Sequence, residues 1–112
     1  MKKENRIKKN EEIAKIVLSK QKIRSEFFFI YYQKSDTIFK AAISVSKKLG
    51  NSVKRNHAKR IIRELIRPNI KLVMPMKIVV VVKKDLFGID FSELQKEMNL
   101  CLLKIEKKLN NN

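Results

Sequence analysis

The run Met76-Lys77-Ile78-Val79-Val80-Val81-Val82 restricts the possible folds more than any other stretch of this chain. Its β-branched side chains suit a pleated surface. Both faces of an extended segment here are apolar, so neither can be left to water. The pattern predicts a central strand over 76–82. The same run is far too short to span a bilayer.

Two further strands are predicted. Residues 27–34, Phe-Phe-Phe-Ile-Tyr-Tyr-Gln-Lys, are rich in aromatics and read as extended. Ser35-Asp36 has turn chemistry, and 38–46 returns as a strand. There Ala41, Ile43 and Val45 point one way, and Ala42, Ser44 and Ser46 the other. Three helices are predicted around these strands. Asn10 can cap a short one, with Glu11 and Glu12 in its first turn and Ile13, Ile16 and Val17 as its apolar face. Ser52 can cap a second, running to Arg67 and stopped by Pro68. Ser92-Glu93-Leu94-Gln95 has the capping-box spacing and opens a third, with Leu94, Met98, Cys101, Leu102, Ile105 and Leu109 on one stripe. The order from the residues is α-β-β-α-β-α, an α+β domain with helices packed on a small sheet.

A chain of 112 residues suits a single domain, 1–112. Lys and Arg number 27 against 11 acids, a formal charge of +16. A small domain carrying that charge repels itself, and a polyanion partner would neutralise it. The basic residues are interleaved with apolar ones, which argues against disorder. Residues 1–9 hold Lys2, Lys3, Arg6, Lys8 and Lys9 against Glu4, and are expected as a basic, mobile N-terminal segment. Asn110-Asn111-Asn112 is expected as a frayed end. The N-terminus has no apolar segment behind its positive start, so it does not read as a signal peptide. Cytoplasmic placement is expected, with no membrane partner. The lone Cys101 makes no internal disulfide and no zinc site. The aspartates Asp36, Asp85 and Asp90 are scattered, so no carboxylate cluster for a two-metal nuclease is visible. No catalytic residue is assigned.

The functional signal lies in 47–67. Lys47, Lys48, Lys54, Arg55, Lys59, Arg60, Arg63 and Arg67 stand there against the single acid Glu64. At about 100° per residue, Ala58, Ile61, Ile62, Leu65 and Ile66 fall on one side. Asn56, Lys59, Arg60, Arg63 and Arg67 fall on the other. One face packs on the sheet, and the other presents guanidinium and ammonium groups suited to phosphate. Asn56 adds a neutral donor and acceptor. A solvated helix face is the usual reading of such charge, but the near absence of acids favours a polyanion. A membrane-surface helix would need its apolar face free for lipid, and here that face must cover the sheet. His57, flanked by Arg55, Lys59 and Arg60, has no acid nearby to orient it as a base and reads as a binding or surface residue. Alternation sets Phe27, Phe29 and Tyr31 on one strand face and Phe28, Ile30 and Tyr32 on the other. One set is core, and the other is free either to join it or to stack unpaired bases. No helix-turn-helix pair is visible, so DNA is not expected as a partner.

The segment Ser44-Val45-Ser46-Lys47-Lys48-Leu49-Gly50-Asn51-Ser52-Val53-Lys54-Arg55-Asn56-His57-Ala58-Lys59-Arg60-Ile61-Ile62-Arg63-Glu64 closely resembles the signature of the protein subunit of bacterial ribonuclease P. Asn5-Arg6-Ile7-Lys8-Lys9-Asn10 and the final strand-helix order are also similar to that family. The resemblance implies an α-β-β-β-α-β-α domain with a small mixed sheet, like the second domain of ribosomal protein S-five. That order adds one short strand, and the resemblance also implies a left-handed β-α-β crossover. It implies further that a large catalytic RNA uses magnesium ions to hydrolyse precursor tRNA and free the mature 5′ end. The protein would bind that RNA and hold the 5′ leader in a cleft. By position, Lys48, Arg55, Asn56, Lys59, Arg60 and Arg63 match the family's RNA contacts. Ile13, Val17, Tyr31, Ser44 and Ser46 match its leader cleft. The family usually carries phenylalanine at Ile13 and Val17, glycine at Ala42 and arginine at His57. The alternative is a structural ribosomal RNA-binding protein with no role in cleavage.

Overall fold

A computed structural model describes residues 1–111. The elements are α1 (Asn10–Leu18), β1 (Lys22–Arg24), β2 (Phe28–Lys34), β3 (Lys40–Val45), α2 (Ser52–Ile66), β4 (Met76–Val82) and α3 (Phe91–Asn110). The order is therefore α-β-β-β-α-β-α. The added strand is β1, whose Lys-Ile-Arg sequence is too short to show a period. The sheet order is β1-β2-β4-β3. β1 and β2 are antiparallel, β2 and β4 are antiparallel, and β3 runs parallel to β4. β4 thus has a partner on each edge and is central, as its two apolar faces require.

Those two faces have different covers. Met76, Ile78, Val80 and Val82 point toward α2 and α3, together with Phe28, Ile30 and Tyr32 of β2 and Ala41 of β3. Ala58, Ile62, Leu65 and Ile66 of α2 and the whole predicted α3 stripe are buried against them. Each fully buried Ile or Leu contributes about 1.5–3 kcal/mol of apolar transfer. Val79 and Val81 point the other way, toward α1 and its wholly buried Ile16. Phe27 departs from the expected alternation. It precedes the strand, in a turn where the Ser25 hydroxyl accepts from the Phe27 and Phe28 N–H groups, and it joins the core beside Phe28.

The helices start from other residues than the spacing predicts. Asn51, not Ser52, caps α2, its Oδ1 accepting from Lys54 N–H at 3.1 Å. Asp90 caps α3 by accepting from the Ser92 N–H and hydroxyl, each at 2.9 Å. Gln95, expected to reach back to the cap, instead donates to the Leu65 carbonyl at 2.8 Å and ties α3 to α2. In α1 the cap position is Lys9, which makes no side-chain cap bond, and Asn10 is the first helical residue. A short polar side chain caps only from outside the helix, and periodicity alone leaves that position uncertain by a residue or two.

The N-terminal segment differs from its expectation. Lys3–Asn5 forms a single 3-10 turn, and buried Asn5 donates to the Phe39 carbonyl at 2.7 Å. Ile7 N–H donates to Ala41 O at 3.0 Å, and Arg6 bridges Ala41 in parallel fashion. Strand β3 is an edge with unpaired backbone groups, and this segment satisfies part of it. At the other end α3 continues through Asn110, so that residue is helical, and Asn111 N–H donates to Lys107 O. Asn112 lies outside the described residues.

Candidate nucleic-acid interface

β3 leads into α2 through Ser46, a 3-10 turn at Lys47–Leu49, and Gly50. Gly50 has φ 134° and ψ −165°, a region essentially closed to residues with a Cβ. This turn places Lys48 at the exposed start of the helix. Along α2, Asn56 and Arg60 face solvent, while Arg55, Lys59 and Arg63 lie half-buried along its flanks. Such long side chains can lay their stems along apolar surface while the charge reaches outward. Arg55 Nε is shielded from water and has no hydrogen-bond partner among the described residues. The ion pairs among the described residues are Arg67–Glu64, Lys77–Glu12 and Lys84–Glu26. None involves Lys48, Arg55, Lys59, Arg60 or Arg63. That leaves Arg55, Lys59, Arg60 and Arg63 of α2, and Lys48 in the turn before it, outside every ion pair among the described residues, the arrangement that phosphate groups neutralise.

The second surface is the sheet face opposite the main core. Strand register sets Lys22, Tyr31, Val79 and Ala42 in one row across it, and Arg24, Phe29, Val81 and Ser44 in the next. Helix α1 packs on this face. Ile13 and Val17 are half-buried against a cluster with Ile7, Ile16, Val79, Tyr31, Ala42 and Val81. An ion pair of 2.8 Å between Lys77 Nζ and Glu12 Oε1 fastens its first turn to β4. The hydrogen bond from Lys77, with the charges of Lys77, Lys40 and Lys9, holds the Glu12 carboxyl below its ordinary range. Ser44 is exposed in the second row. The structure therefore brings Ile13, Val17 and Tyr31 together, with Ser44 one register step away. Ser46 lies beyond β3, where its hydroxyl accepts from Lys48 N–H at 3.2 Å; its side chain serves the turn that presents Lys48.

Phe29 was not among the predicted cleft residues, although alternation already put it on Tyr31's side. It is half-buried, its ring 6.2 Å from that of Tyr31 and edge-on to it. Lys22 Nζ lies 5.1 Å and Lys83 Nζ 4.9 Å from its centroid, within cation–π range. The two aromatics and two ammonium groups form a surface able to stack a base and neutralise its phosphate. Lys22 was invisible to sequence reading because β1 carries no periodic signal.

The chain as a whole is similar to known proteins. Residues 1–106 match the family model described as Ribonuclease P. The Ribonuclease P protein component of Mesoplasma florum is 38% identical over 110 residues, covering 96% of this chain and all of that protein. That of Staphylococcus carnosus is 38% identical over 112 residues, covering 98% of this chain and 96% of the relative. Among solved structures, a Staphylococcus aureus RNase P protein mutant with defective mRNA degradation activity is similar with TM-score 0.80 and 33% identity, covering 94% of this chain and 90% of that one. The RNase P protein from Thermotoga maritima is similar with TM-score 0.81 and 25% identity, covering 90% and 97%. None of these relatives is a structural ribosomal protein. A basic α2, the predicted α+β order and matches over nearly the whole length lead to one assignment: this chain belongs to the ribonuclease P protein family.

Proposed function

We propose that this chain is the protein subunit of ribonuclease P, acting in removal of the 5′ leader from precursor tRNA. The row of uncompensated cations on α2 carries this reading. Lys48, Arg55, Asn56, Lys59, Arg60 and Arg63 bind the catalytic RNA. The cleft of Ile13, Val17, Tyr31 and Ser44, extended by Phe29, receives the leader, and Ser46 orders the turn at its end. Catalytic RNA and substrate are both polyanions, and a +16 protein between them screens their repulsion. Only the precursor has a leader, so a leader-binding cleft favours precursor over mature tRNA. No group of three His, Cys, Asp or Glu side chains fit to hold a metal ion is found among the described residues. In this proposal magnesium and the hydrolytic step belong to the RNA subunit, whose oxygens suit that hard cation. The proposal places the complex in the cytoplasm; no helix among the described residues is long and apolar enough to cross a membrane.

The test is cleavage of a precursor tRNA by a bacterial ribonuclease P RNA at low magnesium, with and without this chain. Stimulated cleavage at the mature 5′ end, and none from the protein alone, is the expected result. Tight RNA binding without stimulation would overturn the assignment.

A further inference from the structure

One surface feature of α2 is not used by phosphate binding. His57, on the exposed side of the helix, lies with its ring 6.5 Å from that of Phe87 and tilted by 58°. Phe87 is 79% exposed, the most exposed of the large hydrophobic side chains, and Val53, one helical turn before His57, is 74% exposed. Together they make a small apolar and aromatic island. Lys54 and Arg60 stand three residues to either side of His57, where helical neighbours meet.

The loop holds Phe87 outward by construction. Leu86 is buried and anchors it to the core. The Asp85 carboxylate accepts from Phe87 N–H at 2.9 Å, Ile89 N–H returns to Leu86 O at 3.3 Å, and Gly88 takes the left-handed φ of 81° that the turn needs. An apolar ring fixed in water beside a second ring loses burial unless a partner covers it. The partner must be flat and apolar on its face yet anionic at its margin, because cations border the island. An unpaired RNA nucleotide has both properties. An apolar protein surface lacks the second.

We infer that Phe87, backed by His57, is a stacking platform for one unpaired base of the catalytic RNA, with Lys54 and Arg60 on the flanking phosphates. The inference rests on the reading of α2 as the RNA-binding helix. The catalytic RNA is the source because the island joins Val53 and His57 of α2 to Phe87 of the β4–α3 loop, beside the cations of α2. The leader cleft lies on the opposite side of the sheet, beneath α1.

The test measures affinity for a ribonuclease P RNA across a salt series. Phe87→Ala should weaken binding about 5- to 100-fold. It should leave the salt slope unchanged, since a neutral stack releases no counterions. The chain has no tryptophan, so the indole introduced by Phe87→Trp is a unique reporter. It should preserve affinity, and its emission should be quenched when the RNA binds. Unchanged affinity for Phe87→Ala, or an indole blind to RNA, would overturn the stack. A loss seen only with precursor tRNA present would overturn the choice of the catalytic RNA. Arg63→Ala, outside the island, separates the two levels. If it weakens binding while Phe87→Ala does not, the stack alone fails. If neither does, the reading of α2 fails.

Discussion

Glu12 and Lys77, 65 positions apart in the chain, meet at 2.8 Å and join the first turn of α1 to the central strand. The contact fastens the helix that forms one wall of the proposed leader cleft. A partly exposed pair contributes about 0.2–1 kcal/mol, so Glu12→Gln should destabilise the protein by no more than that. The sign with pH follows from the lowered carboxyl. Its contribution is whole above the ordinary glutamate value of 4.5 and is lost as pH falls through the lower native value. Thermal unfolding should show a gap between wild type and Glu12→Gln at about pH 7 that narrows as pH falls below 4.5. A gap that did not narrow would sink this account.

Phe29 and Ile30 are neighbours in β2 that point to opposite faces of the sheet, and they should fail differently. Ile30 is fully buried, so Ile30→Ala should cost about 2–5 kcal/mol by transfer and cavity formation. Phe29→Ala should cost less stability but weaken precursor binding to the holoenzyme by about 1–3 kcal/mol, with mature tRNA unaffected. Denaturant unfolding and a paired binding assay distinguish them; an equal loss for mature tRNA would remove Phe29 from the cleft.

Arg60 is exposed and, among the described residues, outside every ion pair. Arg60→Ala should weaken assembly with the catalytic RNA by about 1.5–3 kcal/mol, the range for hydrogen bonds to charged groups. The log–log salt slope should fall by about 0.7–0.9 if one phosphate contact is lost. A titration over a range of potassium concentrations checks both.

Gly50 has a backbone conformation that side chains do not share, and an added Cβ would lie 2.7 Å from Lys54 Cδ. The lysine can swing away; the backbone cannot. Gly50→Ala should therefore cost about 1–3 kcal/mol, read as a lower midpoint in thermal unfolding. It should also displace Lys48 and lower RNA affinity. Wild-type stability in this variant would mean the turn is not constrained.

Cys101 lies on the buried stripe of α3 at 4% exposure. Burial first, then the nearby Glu97, pushes its thiol up to about 11, so thiolate is scarce at neutral pH. Alkylation of the native protein should be slow and should accelerate with denaturant in step with unfolding. Rapid labelling of the folded protein would contradict its burial.

Much of this molecule was legible one residue at a time. β4 matches its predicted bounds because a run apolar on both faces has one stable placement. All six residues of the α3 stripe and the buried face of α2 follow from a 3.6-residue period that needs no partner to be read. The uncompensated charge of α2 is equally local, since Glu64 is its only acid. Tertiary structure decided the rest, because each of those features depends on groups distant in sequence. Alternation divides Phe29 from Ile30, but only the positions of α1, α2 and α3 decide which face packs in the main core and which lies beneath α1. The caps moved from Ser52 to Asn51 and from Ser92 to Asp90 because hydrogen-bond geometry, not spacing, selects them. β1 exists through its pairing with β2, and residues 3–7 are held in place by the exposed edge of β3. Lys22, Phe29 and Lys83 converge, as do His57 and Phe87, through strand register and a loop turn. A period records which way a side chain points along its own element, and only the packed chain sets what it meets there.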